Sequence, residues 1–383
     1  MKTLAIIGAS YLQQPLVEKA KAMGLRTLCF AWEEGAVCKN ICDKFFPISI
    51  LEKEKILEVC RREEIDGVTS IASDSAVPTV AYVAHALGLI GNTERSAYLS
   101  TNKYAMRKAL ADSGVRCPKF TKVASVEEAA VAVERIGYPV IVKPCDRSGS
   151  MGVAKVDNLE ALAVAVETAV SDSFCKMAVV EECITDMHEV SVEGISWKGE
   201  YHLLQITDKV TTGAPHYVEL GHHQPARLPD ALRAKVVDEV RKGIKAQGII
   251  NGASHAELMI TAEGEVYVTE IGARMGGDFI GSDLVPISTG YDFLRGVIEI
   301  ALGEFSGVTF GKRHCSGVWF YSPDTLEVGD IIRQKDKWPQ IVRSELHEDA
   351  LKTLTRSADR AGYFIYQGNE RHLLMTASAE GKS

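Results

Sequence analysis

Over the first hundred residues, short apolar runs that stop at small or polar residues alternate with charged stretches of helical spacing. TLAIIGA (3–9), TLCFAW (27–32) and GVTSIAS (67–73) have the continuous apolar character of strands buried on both faces. Between them, PLVEKAKAMG (15–24) and EKEKILEVCRREE (52–64) repeat apolar positions every three or four residues among charges, which predicts helices. Alternating strands and helices imply a parallel sheet covered by helices, with a ligand crevice at the carboxyl ends of its strands. Gly8-Ala9-Ser10 and Ser73-Asp74-Ser75 would border that crevice. The first loop lacks the G-x-G-x-x-G spacing of a dinucleotide fingerprint.

Further along, the pattern predicts a helix over 96–113 ended by Gly114, and others over 126–137 and 159–171. Apolar runs at 140–143 and 177–184 read as strands, and EVSVEGISWKGEYHLLQITD (189–208) as an antiparallel pair turning at Lys198-Gly199. A long amphipathic helix over 229–248 precedes HAELMITAEGEVYVTEIGARMGGD (255–278). Two β-rich runs there flank Glu263-Gly264, which reads as a two-residue hairpin turn. That turn sets Glu257 directly opposite Glu270, a pairing of like charges that costs stability unless something binds between them. Short strands and turns return after 306, and a polar tail closes the chain. The pattern predicts an α/β (α+β) protein in three regions, 1–95, 96–305 and 306–383, without internal repeats or low-complexity linkers.

The hydrophobic content of 46% and charged content of 25% over 383 residues are ordinary for globular domains. A net charge of −8 leaves no basic excess for a nucleic-acid or anionic membrane partner. No run approaches the ~20 apolar residues of a membrane span, and the start does not read as a signal peptide. The nine cysteines are scattered; Cys38 and Cys42 have no second pair to complete a zinc site. Reduced thiols in a cytoplasmic protein are the expectation.

VIVKPCDRSGSMGV (140–153) joins a lysine-bearing strand to a loop of small residues. The amides of such a loop form an anion nest beside the point charge of Lys143, which suits a polyphosphate. No G-K-[ST] ends it, so it is not a Walker A loop. Downstream, VVEECI carries Glu181 and Glu182, and Glu189 opens the next strand. A strand edge there can read an adenine ring, and a carboxylate can accept from ribose hydroxyls. Between Glu257 and Glu270 a Mg²⁺ ion would find oxygen ligands and keep sites for substrate phosphates. Arg274, before Gly276-Gly277, could clamp a transferring phosphoryl group.

In order and in combination, TNKYAMRKAL, VIVKPCDRSGSMGV, VVEECI with EVSVEG, AELMIT and VTEIGARMGGD resemble the motifs of the ATP-grasp superfamily. The likeness is to its carboxylate–amine ligase and carbamoyl-phosphate-synthase-like branch, which includes bacterial L-amino acid ligases. It implies a pre-ATP-grasp parallel-sheet domain, a two-subdomain ATP-grasp fold and a small C-terminal α+β piece. Lys103 and Lys143 would hold the α- and β-phosphates, and Ser148, Gly149, Ser150, Met151 and Gly152 would close over the triphosphate. Glu181, Glu182, Cys183 and Ile184 would form the adenine hinge, Glu189 would take the ribose, and Lys209 would join the nucleotide site. Glu257 and Glu270 would bind Mg²⁺, or Mn²⁺ in its place. Arg274, Lys143 and His222 are the catalytic candidates; His222, His223, Met275 and Asp278 are candidate cavity walls. Where many relatives read E-x-N-x-R, this chain has Gly272, which offers no side-chain ligand. The resemblance implies an ADP-forming ligase that activates a small-molecule carboxylate as an acyl phosphate and joins it to an amine. Homodimers are common among such proteins. The alternatives are a related enzyme acting on bicarbonate or a nucleotide precursor, and a non-catalytic nucleotide-binding module.

Overall fold

The computed structural model describes residues 1–147, 151–213 and 216–371, and these form three sheets. The first is parallel, with strands β1 (Thr3–Ile7), β2 (Arg26–Phe30), β3 (Lys44–Phe46) and β4 (Gly67–Thr69) in the order β3-β2-β1-β4. Helices α1 (Gln14–Ala22), α2 (Lys53–Arg62) and α3 (Val77–Leu87) connect and cover them. Alternate residues of β1 serve opposite cores. Leu4 and Ile6 pack with Leu16 and Val17 of α1 and with Phe293 and Ile298 of the later helix Phe293–Ala301. Ala5 and Ile7 pack with Ile56 of α2 and Val83 of α3. The strand order reverses at β1 and β4, so the loops that leave their carboxyl ends line the crevice, as parallel sheets of this kind require.

The helix expected over 96–113 is two helices, α4 (Glu94–Leu99) and α5 (Lys103–Asp112). Ser100 and Thr101 turn their hydroxyls back onto the carbonyls of Ser96 and Ala97, and Asn102 caps α5 by accepting from Ala105 N. Such local side-chain bonds compete with helix continuation, and helical spacing alone does not reveal them. The break puts Lys103 at the first position of α5, where its N–H donates to Cys145 O at 2.7 Å.

A small antiparallel sheet follows, ordered β5-β8-β6-β7, from β5 (Phe120–Val123), β6 (Val140–Pro144), β7 (Ala154–Val156) and β8 (Ala178–Glu182). Helices α6 (Val126–Ile136) and α7 (Leu159–Asp172) bury their apolar sides on it. The third sheet is antiparallel and larger. Its strands are β9 (Met187–Trp197), β10 (Glu200–Thr211), β11 (Glu219–Gln224), β12 (Gly252–Thr261), β13 (Val266–Gly272), β14 (Cys315–Phe320), β15 (Ile341–Leu346) and β16 (Gly362–Gly368). They run in the order β13-β12-β9-β10-β11-β14-β16-β15, so the strands beyond residue 306 extend the same sheet. Helix α8 (Asp230–Gln247) packs on it through Val236, Val240 and Ile244.

β12 and β13 form the expected hairpin, with Glu257 opposite Glu270. The turn is not the two-residue one. Thr261 N donates to Glu265 O and Gly264 N to Thr261 O, so the loop holds three residues and Gly264 takes the left-handed conformation (φ +76°). Carried down the strands, that turn would pair Glu257 with Thr269. A bulge between Glu257 and Leu258 admits Thr269 as an extra residue and restores Glu270 to the facing position.

Candidate active site

A cavity of about 560 Å³ is lined from both antiparallel sheets and by the N-terminal loops. Among the sequence-predicted residues, Lys103, Lys143, Glu181, Glu182, Cys183, Ile184 and Glu189 line it. So do Lys209, His222, Glu257, Glu270 and Arg274. Met151 and Gly152 do not line it, although their neighbour Val153 does, and Met151 is half exposed. Ser148, Gly149 and Ser150 lie outside the described residues.

One wall is an ion-pair chain across α5, β6 and β8. Arg107, fully buried, donates from Nε to Glu181 Oε2 at 3.1 Å, and Lys143 also pairs with Glu181. Burial would raise the Glu181 carboxyl, but Arg107 and Lys143 outweigh it and hold it low. Desolvation, with Arg107 and Lys103 near, holds the Lys143 ammonium below its ordinary range although Glu181 opposes this. Glu182 N and Cys183 N donate to the carbonyls of Lys119 and Pro139. Among the described residues, Ile184 N–H has no acceptor.

The opposite wall is the hairpin. Lys103 Nζ donates to Glu270 Oε2 at 2.9 Å. Lys209, buried on β10, lies 2.8 Å from Glu257 Oε1, 2.6 Å from Glu189 Oε1 and 3.6 Å from Glu219 Oε1. These carboxylates overcome burial and hold its ammonium far above the ordinary range, while Lys209 draws Glu257 well below its own. His255 stands behind Glu257: Nδ1 is 2.6 Å from Glu193 Oε1, and Nε2 is 3.4 Å from Glu257 Oε1. Desolvation would depress this imidazole, but Glu193 and Glu257 raise it to about 9.

Glu257 and Glu270 fit a divalent hard cation. They hold facing positions on the wall of one cavity and offer only carboxylate oxygens. Among the described residues no three His, Cys, Asp or Glu side chains converge as a metal cluster. Mg²⁺ commonly takes one or two carboxylates and completes its shell with water and phosphate oxygens, so a pair suffices.

Arg274 makes a two-bond pair with Asp74, Nε to Oδ1 at 2.8 Å and Nη2 to Oδ2 at 3.0 Å. A second cavity, of about 810 Å³, adjoins the first and shares Tyr11, Ala72, Gly277, Asp278 and Arg360 with it. Asp278 pairs with both Arg360 amino groups at 2.8 and 2.9 Å, and Met275 lines this second space. His222 lies edge-on to Phe320, with Nε2 3.8 Å from Asp278 Oδ2. His223 is not a wall residue. Strand alternation turns it to the other face of β11, where it packs on Trp319 and meets Tyr366 Oη at 2.9 Å.

Several site residues went unnoticed in the sequence. Arg107, Glu193 and His255 hold the charged groups in place, and nothing in one sequence separates a buried Arg or Glu from a solvated one. Asp74 was visible only as part of a crevice loop. Arg360 sits in an unremarkable polar stretch.

A model of the ATP-grasp domain matches residues 136–283. The alanine–anticapsin ligase of Bacillus subtilis is 26% identical over 245 residues, which cover 58% of this chain and 51% of that one. A carbamoyl phosphate synthase large chain from Thermotoga maritima is 27% identical over 237 residues, covering 60% and 21%. The chain thus spans about half of the first relative and a fifth of the second. The crystal structure of an L-amino acid ligase from Bacillus licheniformis superposes with a TM-score of 0.79 at 25% identity, over 97% of this chain and 94% of that one.

Proposed function

The chain belongs to the ATP-grasp superfamily, and from that premise we propose that it is an ADP-forming ligase joining a small-molecule carboxylate to an amine. The observation that carries this reading is the convergence of Lys103, Lys143, Glu257, Glu270 and Arg274 on one cavity, with a second empty volume beside it. A module that only binds nucleotide has no need of the second volume or of an arginine next to it.

ATP would occupy the first cavity, with Lys103 and Lys143 on its phosphates, Glu189 on its ribose and Ile184 N–H on its base. Glu257 and Glu270 would hold Mg²⁺ or Mn²⁺, which neutralises phosphate charge and orients the transferring group. A carboxylate oxygen of the acid, held in the second cavity, attacks the γ-phosphorus, and ADP leaves. Lys143 and Arg274 offset the charge on the phosphoryl oxygens, since such transfers depend on positioning and electrostatics. The amine then attacks the acyl carbon and inorganic phosphate departs. His222, which lines the same cavity with Nε2 3.8 Å from Asp278 Oδ2, would take the amine's proton.

Phosphate release from ATP and Mg²⁺ over a panel of amino acids and other acids, alone and in pairs, tests this reading. Turnover should require both an acid and an amine and should disappear in Glu270→Gln. Turnover with bicarbonate alone points to carboxylase-type chemistry, and undiminished turnover in the variant removes the metal role of Glu270.

A further inference from the structure

Gly272 and Asp74, 198 residues apart, share one small volume. A Cβ built on Gly272 falls 2.8 Å from Asp74 Oδ1 and 3.3 Å from Arg274 Nε, inside the ion pair. No side chain fits there while Asp74 holds Arg274. The glycine at 272 and the aspartate at 74 are thus one structural choice made at two places in the chain.

The contact is not a loose surface bridge. Asp74 and Arg274 side chains are 14% and 15% exposed, and both hydrogen bonds are in the fork geometry that fixes a guanidinium plane. A backbone bond runs beside it, from Ala72 N to Met275 O at 3.1 Å. Ala72 adopts φ +57°, an unfavourable conformation for a residue with a side chain, so its surroundings must hold it there. Its Cβ lies 3.3 Å from where a Cβ on Gly277 would stand. The loop after β4 is therefore seated on residues 272–277 by backbone, by shape and by charge.

We infer that Asp74 is a positioning residue: it aims Arg274 at the phosphoryl-transfer site from the parallel-sheet region, in the room Gly272 leaves open. This rests on the role proposed above for Arg274. The N-terminal crevice is then part of the reaction centre as well as a wall for substrate. An unheld Arg274 would be drawn toward Glu257, Glu270 or solvent, and loss of aim by about 1 Å costs on the order of 100-fold in rate.

The experiment compares D74N, D74G, G272N, the double variant D74G/G272N and R274A, with steady-state phosphate release, thermal melts and ATP affinity by calorimetry. R274A should lose about 100- to 1000-fold in kcat. D74N should lose at least about tenfold in kcat while the affinity for ATP stays within about twofold, a split that general loosening of the fold would not give. G272N should lose stability by collision with Asp74, and D74G/G272N should regain it in thermal melts, while kcat in the double variant stays about as low as in D74G because Arg274 is still unheld. Wild-type kcat in D74N with R274A inactive overturns the inference and leaves the reading of Arg274 standing. Full activity in R274A overturns that reading itself. Should D74N not fold, D74G/G272N decides: kcat at least about tenfold down with ATP affinity held supports the inference, and wild-type kcat in it overturns it.

Discussion

Glu257 and Glu270 face each other across the hairpin, and a different buried lysine holds each carboxylate, Lys209 the first and Lys103 the second. Lys209 also serves Glu189 and Glu219, so one ammonium answers three acids. Replacing it with Met leaves those carboxylates around an apolar stem. Removing one partner of a buried pair costs about 3–5 kcal/mol because the other charge stays desolvated. Lys209→Met should lose stability of that order in urea denaturation. A loss below about 1 kcal/mol would mean that solvent reaches these carboxylates in the folded protein.

Lys143 and Arg107 both bind Glu181, but removing them or it should have different results. Lys143→Ala leaves Arg107 to balance Glu181, so the fold should persist while ATP affinity falls at least about tenfold. Glu181→Gln leaves two buried cations without their acid and should cost about 3 kcal/mol or more. Calorimetric titration of ATP with thermal melts of both variants separates the cases. Unchanged nucleotide affinity in Lys143→Ala would remove that lysine from the phosphate site.

Gly276 packs against the pair that steadies Glu257. A Cβ there would come within 2.8 Å of His255 Nδ1 and 2.9 Å of Glu193 Oε2. Neither the buried ring nor the fully buried acid has room to retreat, and overpacking of this kind costs about 1–3 kcal/mol. Gly276→Ala should lower turnover by about tenfold or more through displaced His255, with a smaller change in ATP affinity. Normal turnover in the variant would show that Glu257 does not depend on its backing pair.

Three of the four strands of the parallel sheet, the hairpin and the lysine-bearing strand were legible because their residues repeat at short range, in apolar runs or in a turn signal; the three-residue edge strand β3 was too short to show. The pairing of Glu257 with Glu270 was also read, through two departures that cancel. The loop is one residue longer than its Glu263-Gly264 signal suggests, and the bulge at Thr269 restores the register. Thr269 carries no local mark of a bulge, since its Oγ1 bond to Glu257 O exists only once the strands have met. The contacts that aim side chains were not legible at all. Asp74 with Arg274, Glu193 with His255 and Arg107 with Glu181 join residues 62 to 200 positions apart. They depend on burial, which one-dimensional spacing does not encode.

His223 offers a pH test of the fold away from the proposed chemistry. It is buried on β11, and desolvation first, then Arg371 and His222, lower its imidazole to about 3. Above pH ~6.5, its ordinary value, it is neutral in both folded and unfolded chains and contributes no slope. Between ~6.5 and about 3 the unfolded chain binds a proton that the folded chain refuses, so stability falls as the pH is lowered through that window. His223→Phe keeps a ring against Trp319 and removes the titration. The stability difference between wild type and variant, from urea midpoints, should then shift by ~2 kcal/mol against the wild type between pH 7 and 5. Loss of the bond to Tyr366 Oη adds an offset that does not change with pH over this range. A difference that stays flat across it would mean that His223 takes up its proton while the protein is still folded.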